Sequence, residues 1–197
     1  PNYIIVAKTW YNRNEIAARF SNPLPLEYYP AHLPFYPATI RLLNFFLPGT
    51  RAMLLSTLAG SVLAFVMFYK YLNDLRLTKR AMWLTMVLLI LPARFLAVRT
   101  IGAPETWFMF FILASLYQFR RKKYFWAFVW GALAQLTKSP AILLFVSYAM
   151  SLGYDQLRTR KLEIKKILFA WPLLLIPVVI YGLFLFYKSR TGNFWAY

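Results

Sequence analysis

The sequence contains no cysteine, one histidine and only six acidic residues among 197. The lack of cysteine excludes disulfide bonds and cysteine-ligated metal sites. The chain also has no phosphate-binding glycine loop, no dinucleotide-binding glycine pattern and no zinc-binding signature. These absences argue against a disulfide-bonded scaffold, a zinc protein and an enzyme that holds a nucleotide on a recognisable loop.

Against the six acidic residues stand 23 basic ones, so the net charge is +17. Nucleic-acid-binding proteins gather such charge into a stripe on one face. Here the basic residues lie between apolar segments and mark their ends. We therefore interpret the charge as a membrane-topology signal, and we expect no nucleic-acid partner.

Apolar residues make up 60% of the chain, more than a soluble domain of this length carries. Six segments contain charge-free runs of 13 to 21 residues, a length typical of helices in a membrane. The predicted fold is an all-α, polytopic helical membrane protein, multi-pass in the plasma membrane or the endoplasmic reticulum. The predicted membrane helices are 52–69, 81–98, 106–119, 124–137, 139–154 and 167–187.

Prolines interrupt or kink two of these helices, and two others are short. Pro92 and Arg94 interrupt the far end of 81–98, and Pro172 and Pro177 predict kinks in 167–187. Helices 124–137 and 139–154 are short. One basic cluster precedes the first helix and another follows the second. They predict a helical hairpin with its tip near Lys138.

Three regions follow from this pattern. Residues 1–50 are predicted to form an outer-face loop with short amphipathic helices. Within it, segment 35–47 covers about 20 Å as a helix, too little for a hydrocarbon core of about 30 Å. Residues 51–187 form the transmembrane domain, and 188–197 begin the next outer loop.

The basic block 120–123 predicts a cytoplasmic loop by the positive-inside rule. Loops 70–80 and 158–166 then lie on the same side. The three loops hold four, four and five basic residues, which leaves ten of the 23 on or near the outer side. That is more than orientation requires, and it predicts a site for an anionic group at the outer surface.

Glu105 follows Pro104 at a predicted helix start. A carboxylate there either serves the helix dipole or forms an acid at the mouth of a membrane cavity, where it binds substrate hydroxyls or a metal. His32 lies among prolines and aromatic residues that form a plausible wall for a sugar ring. Arg94, Arg99 and Lys138 are either cations that snorkel to the interface or a phosphate clamp.

The order of several short motifs resembles the GT-C membrane glycosyltransferases, most closely the PIG-V-like and dolichyl-phosphate-mannose-type enzymes. The motifs are YPAHLPFYP at 29–37 with IRLL at 40–43, APET at 103–106, RRKK at 120–123 and GALAQLTKSP at 131–140. TGNF at 191–194 resembles a loop that follows a later span, with Asn193 where an aspartate is common. The resemblance runs along the whole chain and implies the amino-terminal half of such an enzyme.

The resemblance implies inverting transfer of a sugar from a polyprenyl-phosphate donor to an acceptor on the outer or lumenal face. The general base of these enzymes is an acid in the first outer loop. That acid normally lies just before a helix start that contains tyrosine or tryptophan, and PNYIIVA at 1–7 resembles such a helix start with Tyr3 in it. The resemblance therefore places the acid immediately before Pro1, outside this chain, with Glu15 and Glu27 as weaker candidates. The implied partners are the lipid-linked donor and membrane lipids. No cofactor is expected, and a divalent cation is left open.

The resemblance also assigns residues to roles. Glu105 matches the second acidic position and is the predicted catalytic residue, which orients substrate or assists the base. His32 and Tyr36 are predicted to line the sugar pocket, and Arg99 and Lys138 to hold the donor phosphate. No metal ligands are assigned.

Two other functions remain open from the sequence. A non-catalytic membrane subunit of a larger complex fits the missing first-loop acid and the short chain, and would bring membrane-protein partners. A transporter of lipid-linked intermediates would also gather outer basic residues beside a cavity. The chain has no internal repeat of the kind that transporters often show.

Overall fold

A computed structural model describes residues 2–20, 25–91, 93–159 and 168–196, and within these ranges the regular structure is entirely helical. The prediction of an all-α fold is confirmed. Short 3-10 turns lie at Leu26–Ala31, Ser139–Ala141 and Trp171–Leu174. The α-helices are α1 (Asn2–Thr9), α2 (Arg13–Arg19), α3 (Phe35–Leu43), α4 (Gly49–Asp74), α5 (Ala81–Ile90), α6 (Ala93–Thr100), α7 (Glu105–Arg120), α8 (Tyr124–Gln135), α9 (Ile142–Thr159) and α10 (Leu175–Thr191).

Two helical segments are long and apolar enough to cross a membrane, Gly49–Asp74 and Trp171–Thr191. The first, with 26 residues, is about 39 Å long, more than a hydrocarbon core of about 30 Å. Only 39% and 28% of the residues in their most apolar windows are buried, whereas the core helix of a soluble protein is mostly buried. Large apolar side chains are exposed along α4, α5, α9 and α10. These features indicate association with a membrane.

The predicted span 81–98 is divided into two helices, α5 and α6, and neither alone is long enough to cross a bilayer. The break falls at Leu91, whose backbone is extended (φ −117°, ψ 144°). A residue that precedes proline is driven out of the helical region by the proline ring, and Leu91 precedes Pro92. Pro92 itself and the side chain of Arg94 lie outside the described residues.

α7 packs closely against both α4 and α8, and a short turn at 121–123 joins it to α8. The predicted pair α8 and α9 meets mainly through the 3-10 turn between the two helices, and α9 contacts α7 instead. There the hydroxyls of Tyr148 and Ser115 share a hydrogen bond of 2.6 Å, and the Tyr148 ring stacks on Phe119 at 4.2 Å. α8 therefore lies between α7 and the last helical segment.

The last apolar segment extends past the predicted residue 187, to Thr191. Pro172 lies in its 3-10 entry and Pro177 in the first turn of α10. The first backbone N–H groups of a helix have no acceptor within it, so proline is tolerated there without interrupting the helix. The preceding basic loop, predicted at 158–166, lies outside the described residues from residue 160 onward.

Helices α1 to α3 and residues 25–34 before α3 pack over one end of the long helices. Tyr187 of α10 donates a 2.8 Å hydrogen bond to the carbonyl oxygen of Pro30. The buried Tyr11 hydroxyl donates to the carbonyl oxygen of His32. Apolar side chains of α1, α2 and α10 form one buried cluster around these bonds. The proline-rich loop is thereby fixed against the helix ends.

Candidate functional site

Glu105 opens α7, and a tight turn brings it there. Gly102 has φ +75°, a conformation that side chains with a Cβ seldom adopt. A Cβ on Gly102 would also lie only 2.6 Å from the Cε atom of Met53 on α4. Pro104 then precedes the first helical residue. The sequence-based prediction of a helix start at Glu105 is confirmed.

Lys138 lies 33 residues away along the chain but forms an ion pair with Glu105. Its Nζ atom donates to Glu105 Oε1 at 2.7 Å, and the two side chains are 33% and 27% exposed. The Lys138 turn is attached to the outer loop, because the backbone N–H of Phe35 donates to the carbonyl oxygen of Leu136 at 3.0 Å. Two predicted site residues thus meet where α7 begins and α8 ends.

The second carboxylate oxygen of Glu105, Oε2, is shielded from solvent and has no hydrogen-bond partner among the described residues. A carboxylate held at one oxygen by a lysine retains acceptor capacity at the other. Because a buried acceptor without a donor is costly, Oε2 would gain from a hydrogen bond to a hydroxyl group, which reaches it when the side chains that now cover it move aside.

A cluster of aromatic side chains lies near Glu105. The Tyr3 ring lies edge-on to His32, at 4.6 Å between centroids, and edge-on to Tyr36, at 4.9 Å. The exposed Tyr28 ring lies 5.2 Å from His32 on another side. Two predicted sugar-binding residues therefore share one aromatic cluster. Tyr3, which joins them, has no role in the sequence-based prediction, although it belongs to a helix-start motif noted there.

The phenols of this cluster stay protonated at neutral pH. Burial raises the pKa of Tyr36 to about 12, with the hydrogen bond from Thr57 opposing the shift and the charge of Glu105 adding to it. Burial and then the charge of Glu105 raise the pKa of Tyr3 well above its ordinary value. Both rings thus lie within electrostatic reach of the carboxylate. Tyr36 is fixed by a 3.1 Å hydrogen bond to the carbonyl oxygen of Met53.

His32 is only 9% exposed, and its Nδ1 atom has no hydrogen-bond partner in the described part of the chain. Burial lowers the pKa of His32 from 6.5, and backbone hydrogen bonds at Tyr28 and Tyr29 oppose the shift only in part. The imidazole is therefore neutral at pH 7, a polar part of the cluster without charge.

The lowered pKa of His32 predicts a pH dependence of stability. Around and below pH 6.5 the His32 imidazole binds a proton more readily in the unfolded chain than in the folded chain. The contribution of His32 to the free energy of unfolding is therefore full above that pH and decreases as the pH is lowered. We expect the temperature midpoint of unfolding in detergent to decrease as the pH is lowered from 7.5 to 5.5. His32 is the only histidine in the sequence, so the His32→Gln variant is expected to lose most of this slope. An equal slope in both proteins would contradict the assignment.

Arg99, predicted to hold phosphate beside Lys138, belongs to a different neighbourhood. Its Nη2 atom donates to the carbonyl oxygen of Leu89 at 2.7 Å, and its guanidinium lies over the rings of Phe65 and Phe95 at 5.2 and 5.9 Å. These contacts fasten α6 to α4 and α5. The structure thus brings His32, Tyr36, Glu105 and Lys138 together, and no hydrogen bond, ion pair or ring contact among the described residues joins Arg99 to them.

The weaker base candidates lie outside the cluster. Glu15 is on α2 and forms a loose ion pair with Arg19 at 3.9 Å, and Glu27 is exposed to solvent. Among residues 2–20, 25–91, 93–159 and 168–196, no three histidine or acidic side chains are grouped closely enough to hold a metal ion. That the protein uses no cofactor stays a prediction, and its need for a divalent cation stays open.

The site therefore consists of a carboxylate paired with a lysine and flanked by two phenols and a neutral imidazole. Such a group can accept a hydrogen bond from a hydroxyl beside a surface on which a sugar ring can stack. The similarity to GT-C enzymes rests on the motifs alone, because no protein-family profile, no curated protein and no solved structure matches this chain.

Proposed function

We propose that this chain is part of a membrane-embedded glycosyltransferase that uses a polyprenyl-phosphate sugar as donor and acts at the outer or lumenal face. The observation that carries the proposal is the Glu105–Lys138 pair, with Glu105 Oε2 buried and unpaired among the described residues. Tyr3 and Tyr36 lie within electrostatic reach of this carboxylate, and Tyr3 packs against His32. An acid, a cation and an aromatic wall are the parts that binding a sugar next to a phosphate requires.

The proposal includes a multi-pass topology. The segments Gly49–Asp74 and Trp171–Thr191 cross the bilayer fully, and α7, α8 and α9 pack between them in the membrane. The site then lies at the outer end of the bundle, where α7 begins and α8 ends. The basic turn at 120–123, at the other ends of these two helices, faces the cytoplasm. The divided pair α5 and α6 crosses the membrane together next to α4, because it connects the cytoplasmic loop 70–80 to the outer start of α7.

At the anomeric carbon of the donor, the transfer breaks one bond and forms another. The acceptor hydroxyl oxygen attacks the anomeric carbon of the donor, the bond from that carbon to the phosphate oxygen breaks, and polyprenyl phosphate leaves with the electron pair. The proton of the hydroxyl passes to the general base, which the resemblance places before Pro1. Glu105 accepts a hydrogen bond from a substrate hydroxyl at Oε2, and Lys138 stabilises the charge that develops on the leaving phosphate.

The aromatic cluster orients the sugar. Tyr3 and Tyr36 keep their protons. Tyr3 is partly exposed and offers a ring face and a hydroxyl donor, whereas Tyr36 is fully buried and supports the Tyr3 ring from behind. The neutral His32 adds polarity without repelling Lys138. Because Tyr36 is bonded to the backbone of α4, its ring is held in place before the substrate binds.

The test is an assay on the full protein reconstituted in liposomes. Polyprenyl phosphates that carry radiolabelled mannose or glucose are supplied with a membrane extract as the source of acceptors, and the polyprenyl phosphate released is measured. Release together with labelled product supports the proposal. If the donor binds and crosses the bilayer unchanged, the protein is a transporter. If no donor is bound or consumed, the proposal fails and a structural subunit explains the fold better.

A further inference from the structure

A polar cleft of about 600 Å³ is lined by residues that do not belong to the Glu105 site. Its lining comes from four helices that are distant in sequence, α1, α2, α3 and α10, and from the turn after α1. The residues that line it are Lys8, Trp10, Glu15, Arg19, Arg41 and Arg190.

The charge of this cleft is not balanced within the chain. Four cations face one carboxylate, Glu15, whose ion pair with Arg19 is 3.9 Å long. In the described residues no other acidic side chain lies within ion-pair distance of the remaining cations, Lys8, Arg41 and Arg190. With only six acidic residues in the sequence, the protein has few means of neutralising the cleft itself. The compensating anion is therefore expected from outside.

The cleft is organised by a strained turn. Trp10 and Tyr11 have φ angles of +50° and +66°, which bulky residues adopt only where the surrounding structure holds them. Tyr11 is held by its hydrogen bond to His32 and by ring contacts with Phe186 and Tyr187. The same turn places the Trp10 ring at the cleft.

Arg41 lies over the Trp10 ring, with its guanidinium carbon 5.7 Å from the ring centroid. Such stacking limits the freedom of the guanidinium and leaves its N–H donors to point into the cleft. Arg190 approaches from the last turn of α10, next to the predicted outer surface of the membrane. Two planar, five-donor groups with a lysine beside them match the oxygen geometry of a phosphate.

We infer that this cleft binds a phosphate-bearing anion at the membrane surface, at a site separate from the Glu105 cluster. The ligand chemistry is a phosphate monoester or diester, either the headgroup of an anionic lipid or a soluble phosphate compound. Binding of a phosphate would explain why the predicted outer side has more basic residues than the orientation of the protein in the membrane requires. The test of this inference uses no sugar donor, so its outcome is independent of whether the protein transfers sugar.

The experiment compares two double variants of the full chain in detergent. Arg41→Gln with Arg190→Gln removes two cleft cations, and Lys79→Gln with Arg80→Gln removes the same charge from the loop after α4. Bound phosphatidylglycerol is counted by native mass spectrometry, and binding of inorganic pyrophosphate is followed by thermal shift. Arg41 and Arg190 are exposed, so both proteins are expected to fold like the wild type.

We expect the cleft variant to weaken anion binding about tenfold and the loop variant to leave it unchanged, because charge-assisted contacts are lost only in the first. If phosphatidylglycerol alone is affected, the ligand is a lipid headgroup. If pyrophosphate is affected as well, the cleft recognises the phosphate group of soluble compounds too. If neither probe distinguishes the two variants, or the wild type binds neither probe, the inference is wrong.

Discussion

Replacing Glu105 with glutamine is expected to reduce the release of polyprenyl phosphate by about 100-fold or more, the range typical of a lost acid–base or orienting group. Glutamine keeps an acceptor toward Lys138, so the 2.7 Å contact can persist. At the Oε2 position, however, it presents an N–H donor or a weaker acceptor, and the hydrogen bond to the substrate hydroxyl is lost. We expect the effect mainly in kcat, because the missing interaction strengthens in the transition state.

A matched control for this variant is Glu27→Gln, the same chemical change at an exposed residue that has no contact with Glu105 among the described residues. It is expected to retain wild-type activity. The thermal midpoint of each variant shows whether the protein is folded. A folded Glu105→Gln variant with wild-type activity would remove Glu105 from the reaction. A loss of activity in both variants would show an effect of net charge and not of the site.

The second large effect is expected from Gly60→Ala. A Cβ at Gly60 would lie 2.8 Å from Thr106 Oγ1 and 2.9 Å from the Trp107 ring, so these two side chains or the helices α4 and α7 must shift. Thr106 Oγ1 also donates to the carbonyl oxygen of Thr57 at 3.1 Å, a bond that this movement weakens. Overpacking of this kind costs about 1–3 kcal/mol. Because the contact fixes the start of α7, we expect sugar transfer to decline together with stability.

The control for this change is Gly182→Ala in α10, where a Cβ would meet no atom within 4 Å. In a helix that substitution is neutral or stabilising by up to about 1 kcal/mol, since alanine is the better helix former. Thermal unfolding in detergent measures both variants. Equal midpoints for the two variants would show that α4 and α7 do not approach each other closely at Gly60.

The sequence predicted the helical class and several helix boundaries well, because these depend on local properties. The start of α7 at Glu105 and its end at Arg120 follow from a preceding proline and a basic block. The division between α5 and α6 was underestimated. A proline near the end of an apolar run was interpreted as an interruption within one span, whereas Leu91 is extended and two separate helices result.

The candidate site was only partly predictable, because pairing across the fold is not a local property. Glu105 and Lys138 were chosen for separate reasons, and nothing in their spacing of 33 residues predicts that they form a salt bridge. Tyr3 was missed because a tyrosine in an amphipathic segment has no distinctive signal. Arg99 was grouped with Lys138 by its charge, but its contacts lie with Leu89, Phe65 and Phe95. Charge alone does not show which cations share a neighbourhood.

The proposed multi-pass topology, with Glu105 at the outer surface, can be measured directly because the sequence contains no cysteine. Single cysteines introduced by Glu27→Cys, on the predicted outer side, and by Leu77→Cys, on the predicted cytoplasmic side, are treated with a membrane-impermeant maleimide in sealed right-side-out vesicles. We expect the Glu27→Cys variant to be labelled at once and the Leu77→Cys variant only after permeabilisation. Labelling of both before permeabilisation, or the reverse order, would contradict the topology and with it the proposed outer-face transfer.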